Sequence, residues 1–565
     1  MTKISDETNV ERIEHKSKKN IAIGAILGYL AFFVSIIHGL VLTPMILNAF
    51  GKVDYGLYGL ATSIITLLLL DFGLATATNT YLTRLRAAGD KDGVQRFLAA
   101  IFKLYLIIDI AFVAVIALVY FLCPVLYKNT YTPQEIEKLQ FLVLIVGGYS
   151  LISFPSQTFT GVISTYEKFS FNKLADLIQK TLYFVFTIVC IKLNWGIIGI
   201  TAVNAISGVV AAVIRLVYMR TYLNVKLDLR LKISKTELKS VLKFSMWSLV
   251  HAISVRLVIN ITPSILGIVS DADQVALFTI VTTIEGYIFT FGAIANSFFL
   301  AKVARTDAKG TEEERREHLQ QLAAKIGKLQ FVVITLIFIG FVSVGKEFIF
   351  IWLGADQEYQ LVYWCIIALC IYDVFNIPQI VFETGMFSRG YMKPLALNAA
   401  AKAFINLALS FWLSSKDAGL IGASNIGNIG GAVTGAVGAS IAIMIARIVQ
   451  LILDNVSYKK YLKISLPRFF KEIYTRGGIT IAVALSSGIA LHLFNPIENI
   501  KWKFLINGVL VVGIYLMCTL YVTFNKEERA YYLDQTLKLL HIRKKNKLAT
   551  PNNVEVNKED GTKED

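Results

Sequence analysis

Residues Lys243 to Ser270 read KFSMWSLVHAISVRLVINITPSILGIVS, and this stretch decides the fold. It is long and apolar enough to cross a bilayer, which takes about 20 residues as a helix. Its polar residues are not scattered. Ser245, Ser248, Arg256, Asn260 and Ser264, with the small Ala252 between them, recur at intervals of three or four and so stack on one helix face. Arg256 falls near the bilayer centre, where a charge facing lipid is costly, so the spacing predicts a water-filled cavity against that face.

The rest of the chain repeats the theme. It has 565 residues, 55% of them hydrophobic, with the apolar residues gathered in long blocks. Spanning blocks fall at about 21–47, 56–80, 97–123, 140–164, 174–192 and 196–219, then 243–269, 275–300, 329–352, 361–386, 394–413 and 435–453, with a last pair at 478–494 and 503–523. The expectation is an all-α polytopic membrane protein of about fourteen helices. The net charge of +16 is topological: Lys and Arg crowd alternate loops, as at Arg84 to Arg96, Arg220 to Lys239, Lys302 to Lys325 and Lys459 to Arg476. That places both termini in the cytoplasm and argues against nucleic acid as a partner. Five of the six tryptophans, Trp195, Trp352, Trp364, Trp412 and Trp502, fall at the opposite, outer ends. The five cysteines lie in or beside apolar segments without metal-ligand spacing, so no metal site is expected. No phosphate-binding loop for ATP is present.

The two halves repeat. Leu42-Thr43-Pro44 recurs as Ile261-Thr262-Pro263 and Phe72-Gly73 as Phe291-Gly292, both at an offset of 219, while Gly196 and Tyr222 recur as Gly435 and Tyr461 at an offset of 239. The expected organisation is a cytoplasmic polar tail (1–20), a six-helix lobe (21–223), a cytoplasmic linker (224–242), a second six-helix lobe (243–462), two further transmembrane helices (463–524) and a basic cytoplasmic tail (525–565). Two parallel bundles related by a pseudo-two-fold axis enclose a cleft suited to alternating access.

The stretch Pro44-Met-Ile-Leu-Asn-Ala-Phe-Gly51-Lys-Val-Asp-Tyr55-Gly56-Leu-Tyr58-Gly59, followed by Asp71-Phe-Gly73-Leu74, resembles the polysaccharide flippases (Wzx type) of the multidrug/oligosaccharidyl-lipid/polysaccharide exporter superfamily. The resemblance runs from Asn20 to about Asn525, and related drug exporters (MATE-like) share the twelve-helix duplication. It implies export of an undecaprenyl-pyrophosphate-linked oligosaccharide across the cytoplasmic membrane for cell-surface polysaccharide such as O-antigen or capsule. A cationic cavity, an ion gradient as the driving force (H+ or Na+, with no other cofactor), membrane lipids, and a polymerase and chain-length regulator as partners are implied with it. The polar C-terminal tail and the glycine-rich stretch Gly419 to Gly435 depart from the family pattern.

Within that frame Arg256 is the first candidate for an anionic head group, with Asn260 beside it; an ion pair to Glu285, at similar depth on the next helix, is the alternative. Lys180 and Lys402 extend the basic lining or else snorkel to the inner head groups. Asp71, Glu285, Asp373, His38 and His251 are candidates for a coupling ion, with Asp109 and Glu383 as further intramembrane acids. Pro44, Pro155, Pro263 and Pro378 are candidate hinges at matched places. Competing functions are multidrug or cation antiport, which favours an acidic pocket, and a membrane-embedded polymerase or glycosyltransferase, which needs larger outer loops than these.

Overall fold

The computed structural model describes residues 2–68, 82, 85, 89–166, 168–225, 235–293, 311–415, 435–530 and 534; Asp71, Lys232, Gly427 and Gly431 lie outside them. The described residues form helices joined by turns and contain no strand. In order the helices are α1 (Thr2–Leu68), α2 (Lys91–Tyr127), α3 (Pro133–Thr165), α4 (Phe169–Lys192), α5 (Gly196–Thr221), α6 (Lys235–Val269), α7 (Ala272–Ala293), α8 (Glu312–Leu353), α9 (Gln357–Asn376), α10 (Ile380–Ser388), α11 (Met392–Ser414), α12 (Gly435–Ser457), α13 (Leu466–Phe494) and α14 (Ile500–Cys518). Thirteen stretches among them are long and apolar enough to cross a membrane.

One of those stretches, Leu30–Leu67, is really two spans. Its 38 residues extend to about 57 Å as a helix, nearly twice a hydrocarbon core. The reversal takes a single residue: Gly51 has φ 83 and ψ 172, a conformation that a side chain would strain. The open loop between about 48 and 55 expected from sequence is therefore a one-glycine break, and the expected fourteen spans are recovered. A second departure lies at α8, which begins at Glu312 instead of about 329. A capping box closes its start, with the Thr311 hydroxyl accepting from Glu314 N and Glu314 Oε2 from Thr311 N, so the charged inner segment continues as helix. The same device starts α3 at Thr132 and Glu135, and Asp271 caps α7 by accepting from Gln274 N at 2.9 Å.

The packing repeats as the sequence does. In the first half α4 packs on α1, α3 on α5, α2 on α3, and α4 on α5; in the second α11 packs on α6, α9 on α12, α8 on α9, and α11 on α12. The halves meet chiefly where α1 lies against α6 and α7. Helices α13 and α14 stand outside the repeat and pack on α8. Large side chains on the outward faces, such as Phe121 and Ile110, each 72% exposed, are the surface that meets lipid. The chain is a multi-pass membrane protein.

The four prolines are not equivalent. Pro44, Pro155 and Pro263 sit inside helices, whereas Pro378 opens a 3₁₀ turn, Ile377–Gln379, that divides α9 from α10. A proline leaves the carbonyl four residues earlier without its helical donor. For Pro44 that carbonyl is Leu40, which takes the indole Nε1 of Trp352 at 2.6 Å; for Pro378 it is Val374, which takes the Tyr474 hydroxyl at 3.1 Å. At these two positions the candidate hinge also docks a second helix.

Candidate functional site

The family-like motif acquires its meaning at the seam between the halves. On the second limb of α1, Gly56 and Gly59 face α7 so closely that a Cβ on Gly56 would lie 2.1 Å from the Ala272 carbonyl oxygen, and one on Gly59 2.3 Å from Thr279 Oγ1. The glycines are required by that approach, which seals the seam at the Gly51 end. Lys52, beside the Gly51 break, adds an ionic clasp by donating to Asp356 at 2.5 Å and Glu358 at 2.7 Å across the seam, 4.8 Å above the Tyr359 ring. That contact holds the Asp356 carboxyl below its ordinary range. Toward the opposite end of the seam, Phe291 of α7 meets Phe32 and Phe33 of α1 at 6.5 and 6.3 Å between ring centroids.

Between that seal and this aromatic contact lies a chamber of about 210 Å³. Tyr55 and Tyr58, one helical turn apart on α1, present their side chains to it, while Tyr183 of α4 and Tyr287 of α7 close other walls. Tyr287 crosses the seam over Gly39, where a Cβ would lie 2.0 Å from its hydroxyl, and donates to the Ser35 carbonyl at 3.1 Å. Lys180 is the cation of the chamber: its ammonium donates to Ser35 Oγ and, at 3.2 Å, to the Ala31 carbonyl. It is thereby bonded to α1. His38, also on the wall, stacks on Phe184 at 4.5 Å. Among the described residues no carboxylate lines this chamber.

Arg256, half-buried on α6, reaches across the same seam, donating from Nη1 to the Thr66 carbonyl at 3.1 Å. Asn260 is spent within its own helix on the Arg256 carbonyl. The alternative pairing of Arg256 with Glu285 is not formed, because Glu285 is held at 2.8 Å by Arg447 of α12.

Arg447 belongs to a second polar centre, inside the second half, that the sequence reading missed. Its guanidinium also lies 3.9 Å from Asp373, which is fully buried, and 5.3 Å from the centroid of the Tyr372 ring. Lys402 is here, not on the seam: it is buried on α11 within electrostatic reach of Arg447, Asp454 and Glu383. His251 approaches Glu383 at 3.8 Å, and Asn398 donates to Asp454 at 2.9 Å. The signal was legible, since Arg447, Gln450 and Asp454 recur at helical spacing on one buried face of α12. The centre holds four carboxylates, Glu285, Asp373, Glu383 and Asp454, against two fixed cations, Arg447 and Lys402.

The two lysines are related by the duplication. They are 222 residues apart, and the α1 partner of Lys180, Ser35, has Ser254 at the 219-residue offset in α6. Both serines bond the carbonyl four residues earlier at 2.7 Å, Ala31 for Ser35 and Val250 for Ser254. Similarly, Asp176 of α4 pairs with Arg215 of α5, and the residues at the matching offsets, Asn398 and Asp454, are bonded to each other. Matched positions on these helices thus hold a charge pair in the first half and an amide–carboxylate pair in the second.

Residues 21–298 match the family described as polysaccharide biosynthesis protein. In fold the chain is similar to the lipid II flippase MurJ in an inward closed conformation, with a TM-score of 0.68 and 16% identity over 90% of this chain and 100% of that one. It is also similar to a multidrug resistance MATE family transporter in its inward-facing conformation, with a TM-score of 0.60 and 14% identity over 78% and 98% of the two chains. An outward-facing conformation of a transporter so described gives 0.56 at 15% identity over 79% and 96%. No curated protein matches the chain in sequence. The first part of this multi-pass chain thus matches the polysaccharide biosynthesis family, and its fold is similar to those of the MurJ flippase and the MATE transporters.

Proposed function

We propose that the protein is a flippase, not an enzyme, that carries an undecaprenyl-pyrophosphate-linked oligosaccharide across the cytoplasmic membrane by ion-coupled alternating access, with both termini in the cytoplasm. The observation that carries this reading is Arg256: a guanidinium in mid-span, on the seam between the halves, giving a single described bond to a carbonyl and meeting no carboxylate among the described residues. A planar cation with donors to spare suits a diphosphate. Asn260 adjoins it, and Lys180 supplies the second cation of the cleft. Lys402 enters this reading as part of the coupling centre, with Glu285, Asp373 and His251. Four carboxylates, three of them buried, against two cations leave an excess of negative charge, which a bound proton or sodium ion would neutralise. Pro155 and Pro263 carry the bending that alternation needs. Multidrug antiport fits less well, because the chamber on the seam is basic and, among the described residues, lacks a carboxylate. A polymerase and a chain-length regulator act on the product afterwards.

The test is export by Arg256→Ala in cells. Lipid-linked intermediates should accumulate on the inner side while the protein stays in the membrane; normal export would defeat the assignment. In vesicles, transport should require a pH or sodium gradient, and equal rates without one would make the protein a passive scramblase.

A further inference from the structure

A second cavity, of about 1250 Å³, lies away from the seam, where α8, the start of α13 and the segment that follows α14 come together. We infer that it is a head-group site for an anionic phospholipid of the surrounding bilayer, which ties the two helices outside the repeat to α8. Depth is the first reason. The lining residues fall within 320–328, 467–476 and 525–528, whereas the apolar blocks of the three helices begin at about 329 and 478 and end at about 523. All three walls therefore stop at one level, the boundary between hydrocarbon and head groups.

Charge is the second. The lining carries five cations and three carboxylates, and the pairs they form do not cancel it. Lys328 donates to Glu528 at 2.7 Å, and Arg468 is shared between Glu472 and Glu317, each at 3.0 Å. Among the described residues Lys471 meets no partner, and Arg476 meets no carboxylate, donating instead to the amide oxygen of Asn525. On the same terms Glu527 is the single lining carboxylate left unpaired. Helix α13 also starts on this cavity with no acidic residue in its first turn and no side-chain cap, so its N-terminus adds partial positive charge. A phosphodiester supplies a negative charge with acceptor oxygens that an ammonium and a guanidinium can share.

The surroundings decide where that phosphate comes from. Counting on from Arg476 at helical spacing, Ile479 and Val483 carry the cavity-lining face of α13 into its apolar block, and both are exposed. An anion in the cavity thus has an open apolar surface directly beside it, which an acyl chain covers and inorganic phosphate does not. Arg256 and Lys180 belong to the seam, so this site takes a resident lipid and not the transported carrier.

The experiment uses the full-length protein purified in detergent, with lipid adducts counted by native mass spectrometry. The probes are phosphatidylglycerol, phosphatidylcholine, inorganic phosphate and a short-chain prenyl pyrophosphate. Phosphatidylglycerol should bind about tenfold more tightly than phosphatidylcholine, and neither phosphate nor the prenyl pyrophosphate should displace it. Lys471→Gln and Arg476→Gln should each weaken it about fivefold, the worth of one basic residue near a membrane surface. Lys459→Gln, which removes an exposed cation beyond the end of α12 and outside the cavity, should leave it unchanged. Phosphatidylglycerol should also shield a Thr475→Cys thiol from alkylation where phosphatidylcholine does not, which keeps the site testable if Arg476→Gln does not fold. Equal affinity for the two lipids, or a thiol that phosphatidylglycerol leaves reactive, would overturn the site. An equal loss in Lys459→Gln would reduce it to diffuse surface attraction and overturn it too. Displacement by phosphate would remove the lipid from the account, and displacement by the prenyl pyrophosphate would give the cavity to the transported carrier; either result defeats the inference.

Discussion

Trp352, at the end of α8, donates its indole N–H at 2.6 Å to the carbonyl of Leu40, the acceptor that Pro44 has deprived of its helical donor. A residue of the second half is thereby fastened to a defect in the first. Trp352→Phe should leave that carbonyl unpaired and lower stability by about 1–3 kcal/mol. Pro44→Ala in the same chain should return the carbonyl to a backbone N–H and recover part of the loss. Thermal unfolding in detergent of the two single variants and the double variant checks this, and strict additivity would show that the two positions are not linked.

The outer clasp should be acid-sensitive on one side only. The Lys52 contact depresses the folded-state pKa of Asp356, so its stabilisation is complete above the ordinary aspartate range and is lost as pH falls through the folded value. Opening of the outer seam, read as alkylation from outside of a cysteine at Thr43, should rise several-fold in Lys52→Ala at neutral pH and in the native chain at acid pH. Exchanging the charges, Lys52→Asp with Asp356→Lys, should return labelling toward the native level.

The two seam glycines should differ in tolerance. A methyl on Gly56 meets the backbone of Ala272, which cannot move aside alone, whereas one on Gly59 meets the side chain of Thr279, which can rotate. Gly56→Ala is expected to cost about 1–3 kcal/mol and Gly59→Ala less. Melting temperatures that rank them the other way would refute the close approach of α1 and α7.

Breaking the buried pair Arg447–Glu285 from one side should be severe. Arg447→Met strands Glu285 beside Asp373 and should destabilise by about 3–5 kcal/mol, whereas Glu285→Gln with Arg447→Met should cost less. Membrane yield and thermal stability of the purified variants measure both.

Membrane sidedness offers the simplest check. Cysteines at Lys232 and Asp271 should react from opposite faces, because α6 crosses the bilayer between them. Labelling from the same face would break the topology.

Fourteen spans, their duplication and the location of the inter-half cleft could be read from the chain alone, because bilayer thickness fixes the length of an apolar block and a repeated order of residues survives at constant offset. Arg256 and Lys180 were legible for the same reason: a charge in an apolar run stands out. What one dimension could not supply was which charges meet. Glu285 and Arg256 sit at equal depth on successive helices, yet Arg447, 162 positions along, holds the carboxylate. Lys180 and Lys402 occupy duplicated positions but face a seam and a sealed core respectively. Depth follows from counting residues, whereas rotation about each helix axis is set by packing against neighbours distant in sequence, and it is that rotation which separates the chamber from the buried charge centre.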